Sequence, residues 1–311
     1  MTRPIFIIST PRTGSTLLQR ILASHPKISS TPEPYILLPF IYAFKNEGVF
    51  AHYHQPHLVK GLTEFCDYLP DKKGTYFKEI KGAIISMYRQ ASGNNMFFLD
   101  KTPGYCLIVD DIIELFPDAK FVFLVRNPIA ALASAIELWG FGHWRLFPVY
   151  DSFVTGLRNI LVSLEKHRDK ICLVHFEQMT KQPEFEIRRI TDYLGIQYDP
   201  QMVSGFTKVD FKGRMGDPTA GQYTQISKAP IAKWKKAMNT PLRKAWLRNY
   251  FKTIGSDRLK AIGYNPQDLL TELGTEQTDI MKCIDDIFEI SRDMAKVKLK
   301  HLIFKRTARY L

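Results

Sequence analysis

The apolar residues of the chain fall into short unbroken runs, each followed by a segment whose apolar positions recur at helical spacing. Pro4-Ile-Phe-Ile-Ile8 is the first such run. It is short and rich in β-branched residues, which predicts a buried strand. A polar turn carrying Pro11 and Gly14 leads from it into Thr16–Ala23, which has the apolar spacing of a helix. The same order returns at Lys120–Val125, a continuous apolar strand, followed after Asn127-Pro128 by a helix over Ile129–Leu138. Ile171–Phe176 predicts a third strand, and Asp110–Phe116, Val149–His167 and Glu184–Leu194 predict further helices. Strands that are apolar throughout and alternate with helices form a parallel sheet covered on both faces. The expected fold is therefore α/β, with three layers, α/β/α, around a central parallel sheet.

Two segments break this alternation. Residues 35–98 show no strand pattern and are expected to form a mostly helical insertion over the carboxyl edge of the sheet, where open α/β sheets bind ligands. The main domain is expected to run over residues 1–270. Beyond it, in residues 278–311, Ile280, Ile284, Ile287, Met294 and Val297 recur at near-helical spacing, and the last twenty residues carry seven Lys or Arg against the single acidic residue Asp293. That pattern predicts a basic amphipathic helix. Packing of its apolar stripe on the domain, or on a second copy in a homo-oligomer, is favoured over peripheral contact with a membrane surface.

Composition narrows the function. The chain has 311 residues, 45% of them hydrophobic, enough for one large core, with no internal repeat or low-complexity segment. A formal net charge of +12, from 43 Lys and Arg against 31 Asp and Glu, points to an anionic partner. No recognised nucleic-acid-binding module accompanies that charge, so nucleic acid is set aside. No run approaches the ~20 apolar residues of a membrane span, and no signal-peptide pattern precedes Ile5, so a cytoplasmic location is expected. Cys66, Cys106, Cys172 and Cys283 form no Cys-x-x-Cys pair and are expected as buried reduced thiols. His52, His54 and His57 lack the spacing and the company of a zinc site, and no metal is expected.

The chemistry concentrates in two turns. Ser9-Thr10-Pro11-Arg12-Thr13-Gly14-Ser15-Thr16-Leu17 joins the first strand to the first helix, so successive backbone N–H groups and the helix dipole face an anion there. Gly14 permits close backbone approach, and Thr13, Ser15 and Thr16 add hydroxyls. The nucleoside-triphosphate loop G-x-x-x-x-G-K-[ST] requires a Lys where this chain has Ser15, which counts against a Mg²⁺-dependent kinase of small metabolites. Arg126 leaves the strand ending at Val125, and Ser134 lies two helical turns along the next helix. A guanidinium fork and a hydroxyl converging there form a second phosphate site. Two anion sites on separate strand-helix units suit a nucleotide phosphorylated at both its 5′ and 3′ positions.

These residues resemble the PAPS-dependent sulfotransferase family, PAPS being 3′-phosphoadenosine 5′-phosphosulfate. Pro11–Thr16 is similar to its 5′-phosphosulfate loop, and Arg126 with Ser134 to its 3′-phosphate motif. Val174-His-Phe-Glu-Gln-Met179, Pro183, Arg188-Arg189 and Tyr193–Pro200 resemble its later segments, so the likeness covers about residues 4–200. Asp100-Lys-Thr-Pro-Gly-Tyr105 resembles a segment of the carbohydrate branch, and Pro103 stands where the steroid and phenol branch has its His base. The resemblance implies a P-loop-like fold, PAPS as co-substrate without a metal, and a small-molecule acceptor. It also implies Glu33, within Ser30-Thr-Pro-Glu-Pro34, as general base, with Lys101 and Arg12 stabilising the transferred group. Lys212 and Arg214 echo a nucleotide-contacting Lys-Gly-Arg loop, although Met215-Gly-Asp217 departs from it. His143 and Trp144 are expected in an aromatic cluster with Trp139 and Phe141 rather than at the acceptor. The rival readings are the kinase and a non-catalytic protein that binds a membrane or partner on the same fold.

Overall fold

The computed structural model describes residues 2–211, 225–226, 234–274 and 280–308. Five strands, β1 (Arg3–Ile8), β2 (Ile28–Ser30), β3 (Phe97–Lys101), β4 (Lys120–Val125) and β5 (Ile171–His175), form one sheet in the order β2-β3-β1-β4-β5. Every pairing is parallel. Around and after the strands run α1 (Ser15–Ala23), α2 (Leu37–Tyr42), α3 (Gln55–Cys66), α4 (Lys72–Ala91), α5 (Val109–Leu115), α6 (Pro128–Gly140), α7 (Leu157–Lys166), α8 (Phe176–Lys181), α9 (Pro183–Leu194) and α10 (Gln201–Gly205). Among the described residues further along come α11 (Trp234–Ala237), α12 (Pro241–Ile254), α13 (Ser256–Ala261), α14 (Pro266–Gly274) and α15 (Ile280–Ala308).

Successive strand residues point to opposite faces, and the core divides accordingly. Phe6 and Ile8 of β1 and Phe121, Phe123 and Val125 of β4 join Tyr88 of α4, Ile112 of α5, Leu132 of α6, Leu161 of α7 and Leu247 of α12 on one face. Ile5, Ile7, Val122 and Leu124 meet Leu18 and Ile21 of α1 and Ile187 and Ile190 of α9 on the other. Each such side chain, fully withdrawn from water, contributes roughly 1.5–3 kcal/mol. The α/β/α layering is thus the one the apolar runs require.

Two strands have no counterpart in the sequence reading. β2 is only Ile-Ser-Ser, too short to show alternation. β3 ends in Asp100-Lys101, yet all five of its residues are buried. A strand that buries two opposite charges needs tertiary partners that no local pattern reveals. Residues 35–98 are largely helical, but α4 lies on a sheet face, where Tyr88 stacks on Phe98 with ring centroids 4.5 Å apart. The single helix anticipated over Val149–His167 is interrupted by a π-turn at Ser152–Gly156 before α7 begins.

The C-terminal helix α15 docks against α12 and α3 by an unexpected face. Asp286 is fully buried against Arg243, and Asp293 accepts from the backbone N–H groups of Leu146 (2.6 Å) and Phe147 (2.8 Å). Of the anticipated apolar stripe, Val297 is buried and Met294 half-buried, while Ile284 and Ile287 face solvent. The side chain of Ile280 lies outside the described residues. Carboxylates join Val297 and the partly buried Ile290 in holding this helix to the body, because cationic and N–H partners wait for them there.

Candidate active site

From β1 the chain crosses to β2 on one side, and from β4 it crosses to β5 on the other. The carboxyl ends of β1 and β4 therefore flank a topological switch point, where a crevice opens in a parallel sheet. The turn after β1 sits on this crevice. Thr13 closes it by donating its hydroxyl to the carbonyl of Thr10 at 2.9 Å. Arg12 is left-handed, with φ 62°. Gly14, at φ +89°, leads into α1, and a Cβ there would fall 2.5 Å from the Phe176 ring. Only glycine satisfies both the backbone sign and the contact. Ser15 and Thr16 open α1 and are buried, and Ser9 Oγ is buried with no hydrogen-bond partner among the described residues.

Across the crevice, Asn127 caps α6 by accepting from the N–H groups of Ile129 (3.0 Å) and Ala130 (3.3 Å), and Pro128 starts the helix with its φ already set. This places Arg126 and Ser134 on the loop's flank. Arg126 Nη1 donates to the Arg12 carbonyl at 2.8 Å, and Arg12 Nε donates to Ser134 Oγ at 3.2 Å. Three residues drawn from the two separate motifs thus form one cluster. A second cluster lies on the other side of α1. Lys101, at the end of β3 and 1% exposed, sits 2.6 Å from Glu33 Oε1 and donates to Thr16 Oγ1 at 3.3 Å.

Residues 4–200 match the model of the sulfotransferase family. The chain belongs to that family. It is 27% identical over 284 residues to the nodulation protein NoeE of Sinorhizobium fredii, covering 83% of this chain and 65% of NoeE. A putative protein-tyrosine sulfotransferase of Caenorhabditis briggsae is 25% identical over 206 residues, 64% of this chain and 68% of that protein. The chain thus spans about two thirds of the length of these relatives. Among solved structures, the sulfotransferase domain of the Synechococcus PCC 7002 olefin synthase is similar, with TM-score 0.57 and 26% identity over 85% of this chain and 96% of that one.

In this sulfotransferase-family chain the Glu33 loop is held from two sides. Gln19 of α1 donates to Ser30 Oγ and to the Thr31 carbonyl, both at 2.8 Å. On the β3 side, fully buried Asp100 accepts from Tyr88 (2.5 Å), Tyr105 (2.9 Å) and Thr102 (3.1 Å). Tyr105 and Thr102 in turn accept from the N–H groups of Leu37 and Tyr35. Burial pushes the Asp100 carboxyl up to about 6, against the lowering effect of its three hydroxyl partners and Lys101. Burial, followed by the Glu33 charge, pushes the Tyr35 phenol up to about 12.

Several contributors escaped the sequence reading. Phe176 lies under both Gly14 and the Arg126 guanidinium, which stands 4.6 Å from its ring centroid. Glu177 accepts from the N–H of Asn127 (2.8 Å) and from Tyr264 (2.7 Å), fixing the start of α6. Beside Arg126 and Ser134 is a cavity of about 430 Å³ that also draws on Trp234, Lys236 and Lys282. A Trp-Lys-Lys run at Trp234 was the one available signal. Lys212 and Arg214 lie outside the described residues. The expected aromatic cluster does not form: Trp144 is buried against Trp246 at 4.9 Å, while Trp139 and Phe141 are exposed. His143 is bound to Asp285 of α15 at 2.6 Å. Cys66, Cys106 and Cys172 are buried free thiols, and Cys283 is half-buried.

Proposed function

We propose that the chain transfers a sulfuryl group from PAPS to a hydroxyl or amine of a small acceptor, with Glu33 as base and no covalent enzyme intermediate. The observation that carries this reading is Lys101, whose ammonium is shared between Glu33 and Thr16 at the mouth of the phosphate loop. The base and the loop are thereby held within one hydrogen-bonded group. The residues present fit a doubly phosphorylated nucleotide: Ser9 Oγ is an unfilled buried polar atom, and Gly14 leaves the loop open to close approach. Arg126 and Ser134 border a cavity large enough for a nucleotide moiety. Thr13, Gly14, Ser15 and Thr16 would hold the 5′ end. Arg126 and Ser134 would hold the 3′-phosphate, with Lys212 and Arg214 as further contacts, and Arg12, on the loop between the two sites, would join Lys101 in stabilising the transferred group.

When bound, PAPS supplies a sulfuryl group on a phosphate leaving group. An anion in the loop competes with Glu33 for the Lys101 ammonium, because both are acceptors within reach of the same buried cation. Lys101 turning toward the anion frees a Glu33 oxygen to take the acceptor's proton, and then balances the charge that develops on the leaving side. Arg12, turned toward Ser134, joins the two phosphate sites through its carbonyl and its guanidinium. A kinase reading is disfavoured by Ser15 at the position where a Lys is required.

Ligand-dependent thermal stability tests the donor. Adenosine 3′,5′-bisphosphate should raise the melting temperature well above the shift given by AMP or by ATP with Mg²⁺ at equal concentration. Arg126→Ala should abolish most of that preference, since it removes a charge-assisted contact. Equal protection by ATP with Mg²⁺ would return the kinase reading to first place.

A further inference from the structure

The outward face of α15 is apolar, while its inward face carries three carboxylates beside Val297 and Ile290, unlike an ordinary docked helix. Asp286 and Asp293 are buried against the body, and Glu289 pairs with Arg145 and Arg292. Opposite them, Met281 is 76%, Phe288 72% and Leu302 59% exposed, with Ile284 and Leu299 between. At about 100° per residue these five side chains fall within about 60° of one another, along about 30 Å of helix. Lys296 and Lys298 stand about 80° to either side of that stripe, by the same geometry.

We propose that this face of α15 lies on an anionic lipid surface, with the stripe inserted at the headgroup boundary and the flanking lysines among the headgroups. Charge decides the occupant. The carboxylates of α15 are all engaged with partners: Asp285 with His143, Asp286 with Arg243, Glu289 with Arg145 and Arg292, and Asp293 with the Leu146–Phe147 backbone. Of these carboxylates only Asp285 flanks the stripe, and His143 already holds it at 2.6 Å, so a second copy laid there would offer Lys296 and Lys298 no free carboxylate of this helix. The whole chain, at +12, would add repulsion. A negatively charged bilayer matches the lysines and covers the apolar stripe at once. No described helix is long and apolar enough to cross a membrane, so the contact is peripheral.

Vesicle flotation of the full chain tests this. Binding is expected to vesicles of phosphatidylcholine mixed with phosphatidylglycerol, to be weak on phosphatidylcholine alone, and to fall as salt is raised. The double variant Phe288→Asp, Leu299→Asp should weaken binding at least about tenfold while keeping the melting temperature, because both side chains already face water. Lys298→Glu should weaken binding to the mixed vesicles and flatten its salt dependence. Absence of binding to the mixed vesicles, or binding that the double variant leaves intact, would overturn the proposal. A dimer in sedimentation equilibrium that the double variant dissolves would overturn it too, assigning the stripe to a second copy.

Discussion

Lys101 is an ammonium removed from water and held by one carboxylate and one hydroxyl. A buried charge of this kind persists only while its partner does, so Glu33 carries a structural load beside its proposed chemical one. Glu33→Gln separates the two, because the amide oxygen still accepts from Lys101 but takes no proton from an acceptor. Turnover should fall by about 10² or more while affinity for adenosine 3′,5′-bisphosphate changes little. Near wild-type turnover in steady-state assays would remove Glu33 from the mechanism. Asp100 makes a different forecast. Its folded value of about 6 lies above the ~3.9 of an unfolded Asp, so the folded state holds the proton more tightly between those values. Its contribution to stability is therefore full below about pH 4 and is lost as pH rises through about 6, a change of about 3 kcal/mol by pH 7. Asp100→Asn does not titrate. Urea denaturation at pH 4 and pH 7 should show the wild type losing about 2–3 kcal/mol relative to the variant over that interval. Parallel pH profiles for the two proteins would mean that Asp100 is not held as described.

At the scale of elements, α15 shows how a helix can be docked by charge. Arg243 of α12, fully buried, donates to Asp286 through Nε and Nη2 at 2.7 to 3.0 Å. It also donates to the carbonyls of Ala237 (2.6 Å) and Gly142 (3.1 Å), and Thr240 bonds the same carboxylate. Every polar atom of the pair is thus answered, which is the condition under which a buried ion pair is tolerated. Arg243→Ala leaves Asp286 uncompensated and should cost about 3–5 kcal/mol in denaturant titration. Adding Asp286→Leu to Arg243→Met should recover most of that loss by replacing the pair with apolar packing. A small effect of Arg243→Ala would show that the pair is solvated and that α15 is held elsewhere. The same logic explains β3, where Asp100 and Lys101 replace the apolar residues that its neighbours β1 and β4 carry.

Over the whole molecule, the sheet brings together turns that are far apart in the chain. The loop after β1, the Arg126–Ser134 segment and the end of β3 meet because β1 lies between β3 and β4. The apolar pattern alone was enough for β1, β4, β5 and the helices behind them, since a parallel strand packed between helices must be largely apolar and its helix must carry a stripe. Local spacing likewise put Arg12 to Thr16 on the turn after β1, and Arg126 and Ser134 at the end of β4 and two turns along α6, whereas the contacts of both with Arg12 came from the fold. The strands β2 and β3 depended on packing at a distance, because their short or charged sequences become strands through partners in other elements. Tertiary structure decided as well that Lys101 meets Glu33 across a separation of 68 residues, and that Phe176 closes the space under Gly14. For α15 the pattern announced an amphipathic helix but not which face turns inward. An isolated periodicity says where apolar residues gather on a helix, whereas orientation depends on what the opposing surface offers, and here Arg243 and the Leu146–Phe147 backbone offered partners to carboxylates.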